Sequence, residues 1–201
     1  MEITAALVKQ LREATGAPVL DCKKALEANG GDLEKAKAWL AEKGLASAAK
    51  KAGRAAEEGR VEVYIHPGNR VGVMVEVNCE TDFVAKTDAF QSFAHEVALH
   101  IAFANPKYLD VTDLPADVVS AEKDKLRERA LADGKPEKIA DKIVEGQIEK
   151  FLQEVCLLRQ PFIKDEKVTI GDLLKQTVAT IGENVVIRRF ARFELGAGAG
   201  E

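Results

Sequence analysis

The sequence predicts an α+β fold: a small N-terminal three-helix module, then an antiparallel three-stranded sheet packed on helices, with an inserted antiparallel helical hairpin. Three observations predict it. Apolar residues recur at helical spacing through residues 3–40. Apolar and polar residues alternate through 61–77, as in a half-buried strand pair. Two long charged segments flank Gly134-Lys135-Pro136, which places glycine past one helix and proline at the start of the next.

The length and composition allow this division. The chain has 201 residues, enough for one compact domain and a small additional one, and 46% of them are hydrophobic, so a core can form. We expect a docking module over 1–53, a sheet-and-helix core over 54–115 and 161–195, a hairpin insertion over 116–160 and a flexible tail over 196–201.

Charge and cysteine content exclude several classes of protein. The net charge is −4, which argues against a general nucleic-acid binder, because such proteins usually carry a basic surface. No apolar run is as long as a membrane span, and Met1–Thr4 lacks the start of a signal peptide. Cys22, Cys79 and Cys156 are far apart and fit reduced thiols. We therefore expect a cytoplasmic protein.

The first 53 residues predict three or four short helices. Their expected inward positions are Ile3, Leu7, Leu11, Ala14, Cys22, Ala25, Leu26, Leu33, Ala36 and Leu40. The residues expected to begin or end helices are Gly16, Pro18, Gly30, Gly31, Asp32 and Gly44. We expect the third helix to end at Gly44 and a fourth to follow over 45–52. So small a bundle has few core residues, which favours a docking module over a catalytic one.

Residues 50–59 are expected to form a linker. Lys50 and Lys51 at its start could contact a phosphate backbone, although such a run is more often only solvated.

A β-hairpin begins the core. Val61, Val63 and Ile65 alternate with polar residues, and 67–70 supply the turn. The returning strand places its odd-numbered valines on the buried face; these are Val71, Val73, Val75 and Val77.

A long helix follows, capped by Thr87 and ended by Asn105-Pro106. Its apolar stripe consists of Phe90, Phe93, Ala94, Val97, Ala98, Ile101 and Ala102. His95 and His100 lie off the centre of that stripe, so we interpret both as ordinary surface histidines.

The remaining elements are two hairpin helices, a final helix and a final strand. Their expected ranges are 116–133, 137–158, 170–181 and 184–194. Along the final strand, one side carries Val185, Ile187, Ala191 and Phe193, and the other side carries Val186 and Phe190. Both sides are apolar, so covering only one of them would leave the apolar side chains of the other exposed to water.

The segment Asn78–Lys86 joins the second strand to the long helix, at a surface position where function is common. Two interpretations are open. Phe83 could anchor in a partner's pocket while Asp82 disturbs a metal or phosphate site there. Alternatively, Phe83 folds back into the core and Asp82 caps a helix.

Common catalytic motifs are absent from the sequence, which contains no glycine-rich phosphate loop, HExxH, GxSxG or paired-cysteine metal motif. A nucleophile pair of Cys79 with His66 or His100 has no support in its spacing, and a structural cysteine is the better interpretation. We expect no enzyme activity, no cofactor, no metal and no direct nucleotide binding.

Four stretches in order resemble bacterial elongation factor Ts and extend over most of the chain. They are Val75–Lys86; Leu11–Ala17 with Asp21–Leu26; Gly134–Pro136 with Ile148–Pro161; and Ile181–Asn184 with Val186–Glu194. The resemblance implies a translation elongation factor with a UBA-like N-terminal module. Its implied activity is exchange of GDP for GTP on the GTPase elongation factor Tu, by displacing the elements that hold the GTPase's magnesium and phosphates.

The resemblance also implies partner-binding residues. Those matching the family's exchange wedge are Thr81, Asp82, Phe83, Val84, Val71, Gly72 and His100. Those matching the docking edge of the N-terminal module are Val19, Leu20, Asp21 and Lys23, although the family often has methionines where Val19 and Leu20 stand.

The chain looks like the short form of the family, with a single core half. One half would leave an open sheet edge and apolar surface, so we expect a homodimer with Val186 and Phe190 at its interface. The alternative function is an RNA- or ribosome-binding protein that uses the helical hairpin and the basic linker, and it predicts salt-sensitive binding.

Overall fold

A computed structural model describes residues 3–198 and has the α+β architecture that the sequence predicts. Its helices are α1 (Ala5–Thr15), α2 (Val19–Ala28), α3 (Leu33–Lys51), α4 (Asp82–Ala85), α5 (Asp88–Ala104), α6 (Ala116–Ala132), α7 (Glu137–Val155) and α8 (Ile170–Ile181). Its strands are β1 (Glu58–Ile65), β2 (Val71–Cys79), β3 (Pro161–Phe162), β4 (Asp165–Thr169) and β5 (Val185–Glu194). One sheet has the order β1-β2-β5, and β3 pairs with β4. The expected tail extends past the described residues at its last three positions.

The chain divides into two compact units that interleave along the sequence. The first comprises Met1–Glu62, Val75–His95 and Leu173–Arg188; the second comprises Val63–Met74, Glu96–Asp172 and Arg189–Glu201. The first unit therefore contains α1–α3, α4 and most of α8, and the second contains the helical hairpin. None of the described helices is both long and apolar enough to cross a membrane.

Several ends of the N-terminal helices lie where the sequence predicts, with Gly16 after α1, Pro18 before α2 and Asp32 before α3. Thr4 caps α1 by accepting from Leu7 N at 3.3 Å, and Asp32 caps α3 by accepting from Lys35 N at 3.0 Å. Gly16 ends α1 with φ of 66°. The buried core of this bundle is Leu11, Cys22, Ala25, Leu26, Ala36 and Leu40. Ala14, expected inward, is exposed at the end of α1.

Gly44 does not end a helix, contrary to expectation. The third and fourth predicted helices are one, α3, which continues through Gly44 to Lys51, so Lys50 and Lys51 belong to a helix and not to a linker. A Cβ on Gly44 would lie 2.9 Å from the Ala179 Cβ of α8. Glycine thus allows the two helices to approach closely, and this packing outweighs its weak helix propensity.

The helical hairpin of the second unit packs through a small apolar cluster. Leu114, Leu152 and Cys156 are buried there, with Tyr108 and Phe151 among the half-buried residues against them. Helix α7 ends at Val155, three residues earlier than predicted. The Val155 carbonyl accepts from Lys107 N at 2.9 Å and Tyr108 N at 3.0 Å, and residues 157–159 form a 3-10 turn.

The β3–β4 pair was not predicted. Phe162 pairs with Asp165 and Pro161 with Thr169 in an antiparallel arrangement. Strands of two and five residues are too short to produce a recognisable alternating pattern.

Strand β2 follows the predicted alternation, whereas on β1 the apolar residues are the exposed ones. Val73, Val75 and Val77 of β2 are buried, whereas Val71 is half-buried. On β1, the alternate residues Val61, Val63 and Ile65 are each slightly more than half exposed. Close approach of the strands requires glycine at position 59, because a Cβ there would lie 2.1 Å from the Val77 carbonyl oxygen.

Strand β5 departs from simple alternation. Val185 and Ile187 are buried, but Ala191 and Phe193, expected on the same side, are exposed. Arg188 and Arg189 are exposed in succession, so the alternation changes phase there. Val186 and Phe190 are both half-buried.

Candidate functional site

The short helix α4 lies directly after β2 and carries the predicted partner-binding pair. Its N-cap is Thr81, whose Oγ1 accepts from Val84 N at 3.4 Å. The interpretation in which Asp82 caps the helix is therefore wrong. Cap and helix together occupy five residues, so Asp82 and Phe83 lie in its first turn.

Phe83 points away from the core. Its side chain is 79% exposed, so the interpretation that it folds back into the protein is also wrong. Water surrounds a large aromatic ring here, and rings of this kind are enriched at the centres of protein interfaces.

Asp82 and Lys86 form an ion pair beside that ring. The Lys86 Nζ lies 2.6 Å from Asp82 Oδ2 and 6.0 Å from the centroid of the Phe83 ring. The hydrogen bond from Lys86 holds the pKa of Asp82 below its ordinary value. The site therefore presents an ionised carboxylate next to an exposed aromatic side chain.

A network of hydrogen bonds in the first unit holds the backbone that precedes α4. Glu183 Oε2 accepts from Glu80 N at 3.1 Å and from Thr81 N at 3.0 Å, and Glu183 Oε1 accepts from Thr81 Oγ1 at 2.7 Å. In the opposite direction, Glu80 Oε1 accepts from Asn184 N at 2.6 Å. Sequence reasoning did not assign a role to Glu183, because about a hundred residues separate it from α4 and no local pattern connects the two.

The predicted docking edge of the N-terminal module lies at the start of α2. Val19 is 53% exposed and Leu20 is 70% exposed. Asp21 Oδ1 accepts from Lys43 Nζ at 2.7 Å, and Lys23 pairs with Glu27 at 3.8 Å. Two apolar side chains thus lie in water beside charged residues that are paired within the module.

Val71 and Gly72 are the first two residues of β2, whereas Thr81 lies two residues past its last residue, Cys79. Val71 and Gly72 are both half-buried. A Cβ on Gly72 would lie 3.1 Å from Ile65 Cδ1, so the glycine accommodates that neighbouring side chain.

His100 is not a surface histidine; its side chain has no exposed area. Its Nε2 lies 2.9 Å from Gln160 Oε1, and its ring is 6.2 Å from that of Phe162. Its Nδ1 is buried without a hydrogen-bond partner. Burial lowers the pKa of His100. A direct contact with a partner would require this side chain to leave the core. His95, in contrast, is half exposed and lies 3.2 Å from Glu62.

Cys79 is placed as a structural residue. It is fully buried and its Sγ donates to the Thr81 carbonyl at 3.1 Å. Burial, followed by the charge of Glu183, raises the pKa of this thiol, which disfavours the reactive thiolate. Within residues 3–198, no group of three or more His, Cys, Asp or Glu side chains is arranged to hold a metal ion.

Two protein-family models match the chain. One, described as Elongation factor TS, matches residues 32–197, and the other, described as Elongation factor Ts, mitochondrial, N-terminal, matches residues 1–53. The chain belongs to the elongation factor Ts family. It is therefore a translation elongation factor, as the four stretches of sequence indicated.

Individual elongation factor Ts proteins align along almost the whole chain. That of Carboxydothermus hydrogenoformans is 59% identical over 98% of this chain and 90% of its own length. That of Heliobacterium modesticaldum is 58% identical over 98% of this chain and 91% of its own length. That of Caldanaerobacter subterraneus subsp. tengcongensis is 58% identical and is covered over 98% of its length.

Proposed function

We propose that this member of the elongation factor Ts family promotes the exchange of GDP for GTP on elongation factor Tu. The observation that carries the proposal is the exposed Phe83 beside the ionised Asp82, on a helix whose N-cap residue, Thr81, is held by Glu183. An aromatic anchor next to a negative charge fits a partner site that combines an apolar pocket with bound magnesium and phosphates.

The mechanism is displacement. A GTPase holds GDP through magnesium and through backbone amides around the phosphates. Phe83 enters a pocket beside that site, and the negative charge of Asp82 disfavours the neighbouring phosphates. The factor binds the nucleotide-free GTPase better than the GDP form, and because the coupling between two ligands is reciprocal, its binding weakens GDP binding equally. No covalent step is needed, so the protein acts as an exchange factor and not as an enzyme with catalytic residues.

A second contact is made by the N-terminal module. Val19 and Leu20 supply exposed apolar area at the start of α2, and Asp21 and Lys23 supply charge beside it. This contact raises affinity without touching the nucleotide site. Val71 and Gly72 add a further contact at the start of β2. We assign His100 a role in holding the fold of the second unit, since it is buried.

The functional unit is a homodimer in this proposal, with the half-buried Val186 and Phe190 of β5 at its interface. Support comes from apolar side chains that face water on the second unit: Val63 is 52% exposed, Ile65 54% and Met74 49%. A second copy that covers them would remove this apolar surface from water.

The exchange activity is tested with fluorescent GDP bound to purified elongation factor Tu. A catalytic amount of this protein, with excess unlabelled GDP, should accelerate the loss of fluorescence many-fold over spontaneous release. The control is the same amount of the Phe83→Ala variant, which keeps the fold and lacks the ring. An unchanged release rate with folded wild-type protein would reject the proposal.

A further inference from the structure

Two glutamates of the first unit each accept hydrogen bonds from the segment that carries the other. The Glu183 carboxylate accepts three of them, from the backbone of Glu80, the backbone of Thr81 and the hydroxyl of Thr81, at 2.7 to 3.1 Å. The Glu80 carboxylate accepts from the backbone of Asn184 at 2.6 Å. Bonds to ionised acceptors are stronger than neutral ones, so this reciprocal pair is a strong connection between the two segments.

The Glu183 side is held in place by its own surroundings. Helix α8 ends at Ile181, and Gly182 follows with φ of 88°, a conformation that residues with a side chain rarely adopt. Its N–H donates to Val178 O at 3.0 Å, which turns the chain towards Glu183. Asn184 Nδ2 donates to Arg54 O at 2.8 Å, and this fixes the segment on its other side. Both neighbours of Glu183 are therefore hydrogen-bonded within the first unit.

The Thr81 hydroxyl transmits this constraint to α4. Its hydrogen is donated to Glu183 Oε1, which leaves an oxygen lone pair for Val84 N, the hydrogen bond that caps α4. A helix of four residues has almost no stability of its own, because helix nucleation is unfavourable. The direction in which Asp82 and Phe83 point is consequently set by the residue that orients Thr81.

We propose that Glu183 is the positioning residue for the Asp82–Phe83 pair and keeps it in the geometry that binds the GTPase. The inference rests on the proposed exchange function and assigns a residue of the α8–β5 turn to it. A preformed anchor binds more tightly than a mobile one, since ordering the anchor on binding costs free energy.

The test compares Glu183→Ala and Glu183→Gln with wild type in the GDP-release assay. Alanine removes all three hydrogen bonds, and exchange should fall about tenfold. Glutamine keeps an acceptor for the two amides and can donate to the Thr81 hydroxyl, so its loss should be smaller. Glu128→Gln, which removes the same charge from an exposed position on α6, should exchange as wild type. Equal activity of wild type and both Glu183 variants would overturn the proposal.

A double-mutant cycle with Phe83→Ala separates positioning from general stability. If Glu183 acts through Phe83, its replacement should cost little once the ring is gone, so the two losses should be clearly less than additive. Full additivity would mean that Glu183 contributes to the fold and not to the ring's orientation, and it would overturn the inference. Glu183→Gln serves in this cycle if the alanine variant does not fold.

Hydrogen exchange of the isolated protein tests the positioning without the GTPase. In Glu183→Ala, the amides of Glu80, Thr81 and Val84 should exchange about tenfold faster than in wild type, while amides in the α1–α3 core keep their rates. Unchanged protection of the three amides would contradict the proposal. If wild type fails to accelerate GDP release from the GTPase but Glu183→Ala loses protection at these amides, the exchange function is wrong and the structural constraint stands. If wild type accelerates release but Glu183→Ala keeps its protection, the exchange function stands and the positioning role of Glu183 is wrong.

Discussion

The most informative single residue is Phe83, whose ring lies in water although the chain has buried cores available. Exposing a ring that could be buried forgoes roughly 2 kcal/mol of hydrophobic stabilisation. A surface ring of this kind stabilises a complex and not the free chain, so its replacement should separate binding from folding.

Phe83→Ala should lower exchange or binding by about 2 kcal/mol, roughly 30-fold, because truncation of a central interface anchor typically costs this much. Its melting temperature should stay close to wild type, since the ring is 79% exposed. Phe90→Ala is the matched control: Phe90 is fully buried in α5, and its truncation should cost about 3–5 kcal/mol of stability. A large fall in melting temperature for Phe83→Ala, with exchange intact, would contradict this assignment.

His100 is a second residue with an effect of its own, because its side chain is buried in the second unit. It contacts Gln160, whose Nε2 in turn donates to Glu154 O at 2.7 Å near the end of α7. The buried Nδ1 has no acceptor for a second proton, and burial lowers the pKa of the ring. The neutral imidazole is thus part of the folded second unit.

This burial predicts a loss of stability in mild acid. The unfolded chain protonates this histidine near pH 6.5, whereas the folded chain resists protonation, so the unfolded state binds more protons and the free energy of unfolding falls as pH drops from about 7 towards 5. Denaturant titrations at several pH values should show that the free energy of unfolding depends less on pH in His100→Gln than in wild type. His66→Gln, at an exposed position, controls for loss of an imidazole. Identical slopes for His100→Gln and wild type would refute the prediction.

At the scale of elements, the approach of α3 to α8 depends on small residues. Gly44 meets Ala179, and Gly16 at the end of α1 meets Thr180, where an added Cβ would lie 3.3 Å from Thr180 Cγ2. The N-terminal helices therefore pack on α8 within the first unit, as well as on one another.

Gly44→Ala should destabilise the protein despite the better helix propensity of alanine. The propensity gain is about 1 kcal/mol, and overpacking costs about 1–3 kcal/mol, so the net loss reaches about 2 kcal/mol. Chemical denaturation measures it. Gly53→Ala is the control, because a Cβ added at Gly53 would meet no atom within 4 Å. Adding Ala179→Gly should recover stability in the Gly44→Ala background; no recovery would show that this contact is not the cause.

At the scale of the whole molecule, several apolar side chains of the second unit are exposed to water in the free chain. Met74, Val63 and Ile65 are each about half exposed, and Phe193 is 71% exposed. Proteins usually cover such side chains by assembly, and a two-fold dimer is the commonest solution.

Light scattering at micromolar concentration should give a mass about twice the 21.8 kDa of one chain. Val63→Asp and Phe190→Asp should shift the mass towards one chain, because each would place a charge in an apolar interface. Leu131→Asp replaces a similarly exposed apolar residue on the hairpin and should leave the dimer intact. A wild-type mass near 21.8 kDa would reject the dimer, whatever the exchange assay gives.

Local sequence by itself determined most of the elements. Helix α8 begins and ends at the predicted residues, and Asp32 caps α3, as a polar side chain before an apolar periodic stretch predicts. The alternation of β2 predicted three buried valines correctly, Val73, Val75 and Val77, whereas Val71 is half-buried. Caps, glycine stops and periodicity act within a few residues, which is why they can be read without the fold. The family, too, was evident from stretches of consecutive residues.

Only the tertiary structure decided what each residue meets from elsewhere in the chain. It made Gly44 a packing residue in place of a helix end, buried His100 against Gln160, exposed Phe83, and brought Glu183 to the backbone of Thr81. A glycine, a histidine or a glutamate carries the same local preference in either role. The difference lies in a neighbour many tens of residues away, whose position follows from the packing of the whole unit and not from any local pattern.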